Sequence, residues 1–270
     1  MEASPKQRYP FRLGTTSFIY PADYATNVQR LASLVDEIEL LIFESQHLPA
    51  SEEIARLADL ADERSISYNV HLPMDVDLAG ETADRRRRSI DALARAIDRV
   101  APLRPTTQTL HLTLNRSDTS ASGVGDWQDL STGSVTDLLK ICGIPARDIS
   151  IETLDYDPRW LHPIVQRLDL AVCVDVGHVI RYGFDLEPVL DLFSDRTTIL
   201  HLHGVAAGRD HLALTHLSSH HRDTIASYLK KFKGSASIEV FDHQRLAASL
   251  AYFPRLMNPA QPSLLQESEH

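Results

Sequence analysis

The sequence predicts a closed, eight-stranded parallel α/β barrel, and three observations carry that reading. Residues 170–174 form an apolar, valine-rich run that ends in Asp175, with Gly177 and His178 following at once. Continuous runs of this kind suit strands buried on both faces, as in parallel sheets. The arrangement then recurs: His71, His111, Glu152, Asp175, His201 and Glu239 each close a short apolar run. They are separated, by subtraction of their numbers, by 40, 41, 23, 26 and 38 residues. Each interval has room for a loop, a helix and a return strand. Finally, 270 residues match one barrel of about 250. A doubly wound open sheet is the alternative, but no Gly-x-Gly-x-x-Gly follows the first strand to favour it.

The elements follow in order. Residues 11–17 read as the first strand, and Pro21-Ala22-Asp23 opens a helix with Val28, Leu31, Ala32 and Val35 on one face. Residues 37–44 alternate and then run apolar into Glu44, a second strand. Ser51-Glu52-Glu53 has the capping and acidic first-turn signature of a helix. The third strand ends at His71. Residues 82–100 form the longest amphipathic helix, with Ile90, Leu93, Ala94, Ile97 and Val100 as its buried stripe. The fourth strand runs to His111. Residues 115–125, rich in Ser, Thr, Gly and Asp, have little to bury and read as a long loop suited to a lid. A helix over 126–142, a strand over 149–152 and a helix over 158–168 lead to the central strand. Helical turns at 177–182 and 186–193, a strand at 198–204 and a polar loop at 207–211 follow. Residues 218–232 are helical, 236–241 form the eighth strand, and a helix over 244–253 closes the domain. That domain spans 1–258, leaving 259–270 as a tail.

Composition narrows the function. The formal net charge of -10 argues against a broad nucleic-acid face, which draws on Lys and Arg. Cys142 and Cys173 are far apart and suggest neither a disulfide framework nor a cysteine metal site. Residues 1–10 lack the apolar region of a signal peptide, and no stretch approaches the roughly 20 apolar residues of a membrane span. A soluble, cytoplasmic protein with a small-molecule substrate is expected, with a homo-oligomer possible.

In a parallel barrel all strand carboxyl ends emerge on one face. His71, His111, Glu152, Asp175, His201 and Glu239 would converge there, and such a crowd of carboxylates and imidazoles calls for cations. Imidazole and carboxylate ligands suit zinc, manganese or iron. Six ligands with a bridging carboxylate suit two ions, and paired ions serve displacement at phosphorus. Glu152, central in chain order, is the candidate bridge, while His178 with Asp210 and His211 could hold a third ion. His203 shares a strand face with His201 by the period of two and is placed outside the ligand set, toward substrate. Glu239 or Glu44 could manage a proton. Thr15, Thr16 and Ser17 could donate hydrogen bonds to a phosphate or only satisfy backbone at a strand end. The run Arg85–Arg88 reads as a solvated helix face, Trp127 and Trp160 as packing, and His216, His220 and His221 as solvated.

His71, His111, Glu152, Asp175-x-x-His178, His201, Asp210-His211 and Glu239 together resemble the xylose-isomerase-like TIM barrel superfamily, and within it the trinuclear zinc pattern of the apurinic endonucleases (endonuclease IV), over residues 11–253. That resemblance implies that His71 and His111 bind one metal, Glu152 bridges, Asp175, His201 and Glu239 hold a second, and His178 with an aspartate and histidine holds a third. Two departures count against DNA repair. Asp210 and His211 are adjacent where the endonucleases space them by one, and Leu72-Pro73-Met74-Asp75-Val76-Asp77 is acidic where a DNA-invading loop is basic or aromatic.

The opening motifs are more similar to the cobamide-remodelling phosphodiesterases of the same superfamily. They read Leu13-Gly14-Thr15-Thr16-Ser17-Phe18-Ile19-Tyr20-Pro21-Ala22-Asp23, then Val35-Asp36-Glu37-Ile38-Glu39-Leu40-Leu41-Ile42-Phe43-Glu44-Ser45, then Asn69-Val70-His71-Leu72-Pro73. This resemblance implies hydrolysis of the nucleotide-loop phosphodiester of a vitamin B12-type corrinoid, with two or three divalent ions, zinc or manganese. Two other readings stand beside it. One is a sugar isomerase or epimerase in which Glu152 and Glu239 flank one metal completed by Asp175 and His201. The other is a corrinoid- or metal-binding protein without turnover.

Overall fold

The structure is a computed structural model that describes residues 6–114 and 118–258. Residues 115–117 of the expected loop and the tail 259–270 lie outside the described residues. Eight strands close a parallel barrel: β1 (Arg12–Thr16), β2 (Glu37–Leu41), β3 (Ser67–His71), β4 (Gln108–Leu110), β5 (Ile149–Glu152), β6 (Ala171–Asp175), β7 (Thr197–Leu202) and, after a hairpin, β10 (Ser235–Ile238). Around the barrel their order is β1-β10-β7-β6-β5-β4-β3-β2. Each strand pairs in parallel with its sequence neighbour, and β10 closes on β1. The expected fold class is the one observed.

The helices α1 (Tyr24–Leu31), α2 (Ser51–Arg64), α3 (Ala83–Val100), α4 (Ala121–Cys142), α5 (His162–Leu168), α6 (Val176–Arg181), α7 (Leu186–Leu192), α8 (Ser219–Leu229) and α9 (His243–Met257) fill the connections. In α3, Thr82 accepts from the Arg85 N–H as N-cap, and Ile90, Leu93, Ile97 and Val100 are buried at helical spacing. The arginine run at its start lies largely outside, with Arg88 paired to Asp84 and Arg87 to Asp91 one turn away. Trp127 is fully buried and donates its indole N–H to the Thr113 carbonyl, the packing role expected of it.

Two stretches differ from the expectation. Helix α4 begins at Ala121, so residues 121–125 are helical. The Ser120 hydroxyl caps the helix by accepting from the Gly123 N–H, and buried Val124 and Trp127 supply the apolar face that composition alone obscures. The polar loop at 207–211 is part of an antiparallel hairpin, β8 (Gly204–Ala206) with β9 (Arg209–Leu212). It turns through Gly208 at φ 73°.

The barrel interior is polar. Glu37 is fully buried and accepts from Arg12, Ser67, Asn69 and Thr106. Two residues along the same strand, and therefore on the same face, Glu39 reaches His201 on β7 and Ser237 on β10. The β2 strand is not adjacent to β7, so this contact crosses the lumen.

Candidate metal centre

Strand register sets the expected residues at one level. Asp175 lies opposite His201, Glu152 opposite Cys173, and Ile238, just before Glu239, opposite Leu202. His71 ends β3 and His111 directly follows β4. As a result His71, His111 and Glu152 form one group of mutually close ligand atoms. Asp175, His201 and Glu239 form a second, and Glu152, Asp175 and His178 a third, each within 4.8 Å.

Glu152 joins these groups through its two oxygens. Oε2 lies 3.1 Å from His71 Nε2 and 2.9 Å from His111 Nε2, while Oε1 faces His178 Nδ1 at 3.4 Å and His201 Nδ1 at 3.7 Å. His71 Nδ1 donates to the Leu72 carbonyl at 3.0 Å. The lone pair of neutral His71 is therefore on Nε2, pointed at a carboxylate oxygen. Two acceptors face each other there, and a metal ion or a ring proton between them reconciles the pair.

The second group shows the same need. His201 Nε2 donates to Glu39 Oε1 at 2.9 Å, which leaves Nδ1 bare. That Nδ1 and Glu239 Oε2 are 3.3 Å apart, both buried, and neither has a hydrogen-bond partner. A divalent ion with nitrogen and oxygen ligands fits both atoms. The residues present fit the metal implied by the fold.

Without metal, protons on imidazole balance the carboxylates. Burial acts to raise the Asp175 carboxyl, but the charge of His178 and the hydrogen bond from His203 Nε2 outweigh it and hold it well below the usual range. Glu152 is likewise held low against burial, by His111 and His201. Burial pulls His178 down, yet Asp175 and Glu152 push it up to about 10.

Several expected residues are not brought to the cluster. Glu44 lies beyond the end of β2, exposed, and accepts from His47 at 2.7 Å; the chain has already left the barrel there, so its expected proton role is withdrawn. Thr15 and Thr16 donate to the carbonyls of Ile238 and Val240, both at 2.9 Å, and the Ser17 hydroxyl accepts from the Leu41 N–H. All three are buried and tie β1 to its neighbours, which favours the backbone alternative over phosphate binding. Asp210 pairs with Arg181, while its neighbour His211 turns to the opposite side of β9 and approaches Glu239.

Sequence reading missed two neighbours of the cluster. One is Glu39, whose signal was its period-two partnership with Glu37 inside a strand. The other is the buried Cys173 thiol, in ligand range of Glu152 and His201. A carboxylate behind a ligand histidine fixes its tautomer and raises its basicity. Glu39→Gln is therefore expected to weaken metal binding about 10–100-fold, read by competition with a chromophoric chelator.

The family model described as xylose isomerase-like TIM barrel matches residues 28–258. The chain belongs to this family. Among solved structures, this xylose isomerase-like barrel is similar to a D-tagatose 3-epimerase-like protein (TM-score 0.78, 18% identity, 92% of this chain and 98% of that one). It is also similar to D-psicose 3-epimerase from Clostridium cellulolyticum H10 (0.73, 15%, 90% and 97%). A third is the probable 3-DHS dehydratase AsbF from Bacillus anthracis (0.69, 13%, 92% and 99%). At these identities the likeness is one of fold, which hosts unlike reactions. A search of curated proteins found no match. None of these comparisons points to the cobamide phosphodiesterases.

Proposed function

We propose that this barrel is a metal-dependent phosphodiesterase whose substrate is a corrinoid carrying a nucleotide-loop phosphodiester. The observation that carries the proposal is Glu152, which faces His71 and His111 with one oxygen and His178 and His201 with the other. A one-metal isomerase would use the first pair for substrate contacts and not as ligands. In this reading Glu152, His71 and His111 would hold one ion, and Glu152, Asp175, His201 and Glu239 a second. Paired divalent ions supply Lewis-acid polarisation of a phosphoryl oxygen and offset charge on the entering and leaving oxygens.

The chain's own residues do the rest. The His178 backbone N–H donates to Asp175 Oδ1 at 2.7 Å and fixes that carboxylate. Glu39 orients His201. Hydrolysis adds water to phosphorus and breaks one P–O bond, and with Glu44 withdrawn, Glu239 is the carboxylate left to move the water's proton toward the leaving oxygen.

Substrate class draws support from the rim. Among the described residues five large apolar side chains are exposed, and three of them, Phe18, Phe43 and Phe241, come just after strand carboxyl ends. Phe241, Phe18 and Phe43 follow three adjacent strands, β10, β1 and β2, and the Phe241 ring lies 4.8 Å from that of His211. An apolar aromatic arc beside a charged centre suits a phosphoester attached to a broad, planar body. The opening motifs support the corrinoid in particular.

The solved structures, sugar epimerases among them, favour a second reading, in which Glu152 and Glu239 would flank one ion. On comparison alone that reading is the better supported; the His71–His111–Glu152 group is what counts against it. Metal-loaded protein incubated with adenosylcobalamin is expected to yield cobinamide phosphate and the released nucleoside by mass spectrometry. Conversion of ketoses with the corrinoid intact would select the epimerase, and retention of the corrinoid without product would leave a binding protein.

A further inference from the structure

His178, His203 and His211 bring ring nitrogens within 4.8 Å of one another, which reads at first sight as a third, all-imidazole metal site. Hydrogen bonding removes His203 from it. The backbone N–H of His211 donates to His203 Nδ1 at 3.0 Å. An amide N–H can only donate, so Nδ1 presents its lone pair and the ring hydrogen sits on Nε2. That Nε2 is 3.0 Å from Asp175 Oδ1 and 3.3 Å from Oδ2, where it donates to the carboxylate. Both ring nitrogens are occupied. Asp210, the other expected ligand, faces Arg181.

We infer that His203 is a positioning residue: it fixes the Asp175 carboxylate through Nε2–H, anchors the β8–β9 hairpin through Nδ1, and leaves only His178 and His211 where a third ion would sit. The inference rests on the metal reading of the cluster and sharpens it to two ions held by the protein.

Gly177 makes room for this ring. A Cβ at that position would stand 1.9 Å from His203 Cε1 and 2.2 Å from Nδ1, too close for any side chain. The ring has little freedom to retreat, because the His211 ring lies against it with centroids 4.2 Å apart. His211 itself is held at φ 49°, a left-handed conformation costly for a residue with a side chain. Its N–H bond to His203 is one contact that secures it. The glycine two places after Asp175 and the histidine two places after His201 are thus one device.

The test combines zinc titration with long-range proton–nitrogen NMR of the histidines. The wild type is expected to bind two zinc ions, with His203 remaining the Nε2–H tautomer and its Nδ1 uncoordinated. His203→Ala should still bind two ions, about 10–100-fold more weakly. His203→Gln, which keeps an N–H donor for Asp175, should recover most of that loss. Gly177→Ala should weaken zinc in the wild type but add little in the His203→Ala background. Three ions in the wild type falling to two in His203→Ala, or a coordination shift at His203 Nδ1, would overturn the inference, as would unchanged affinity in His203→Ala. A wild type that binds no zinc overturns the metal reading itself. The NMR result on the wild type decides the matter even if His203→Ala fails to fold.

Discussion

Replacing Glu152 with alanine is expected to reduce bound metal from two ions to one or none and to abolish phosphodiester cleavage. The reason is geometric. Its two oxygens face separate pairs of histidines, so no single neighbour can substitute for it. His71 and His111 would be left with no carboxylate in their group. Loss of one member of a group that acts as a unit costs on the order of 10³-fold or more in turnover. Glu152→Gln tests charge apart from shape: it keeps the volume and one acceptor, and it should fail nearly as badly because a neutral amide cannot bridge two cations. Elemental analysis and mass spectrometry of the products read both effects. A Glu152→Ala protein with full metal content would remove the bridge from the mechanism.

The second large effect is on stability. Chelation is expected to lower the thermal midpoint by about 5–10 °C relative to protein at free metal near 100 times Kd, from a linkage of about 2.7 kcal/mol. Glu152, Asp175 and Glu239 are all buried beside one another, and without metal only imidazole protons offset them. That compensation has a defined pH window. His178 is raised to about 10 in the metal-free fold, so its contribution is fully present below its unfolded value near 6.5 and is lost as pH rises toward 10. The gap between metal-loaded and chelated midpoints should therefore widen from pH 6 to pH 10, as differential scanning fluorimetry would show. A constant gap would mean that His178 does not provide the balancing charge.

The barrel was legible because its strands end in residues that an ordinary core strand would not carry. Apolar runs closing in His71, His111, Glu152, Asp175, His201 and Glu239 mark both the strand ends and the cluster, and the structure brings all six together. Glu39 was not legible, since an alternating acid in a strand looks like a solvated face until the barrel closes and turns that face inward. Glu44 misled for the opposite reason. It ends an apolar run in the sequence, but β2 stops at Leu41 and the run continues past the barrel. The start of α4 was hidden by serine and glycine, which a good cap and two buried side chains overcame. Asp210 and His211 could not be sorted without β9, in which neighbours point to opposite sides.

Anomalous diffraction at the zinc edge from crystals of zinc-loaded protein tests the central claim most directly. Two strong peaks about 3.5–4 Å apart on either side of Glu152, one by His71 and His111 and the other by Asp175, His201 and Glu239, are expected of a paired-metal phosphodiesterase. A single peak among Glu152, Asp175, His201 and Glu239, with His71 and His111 bare, would contradict it and select the one-metal epimerase.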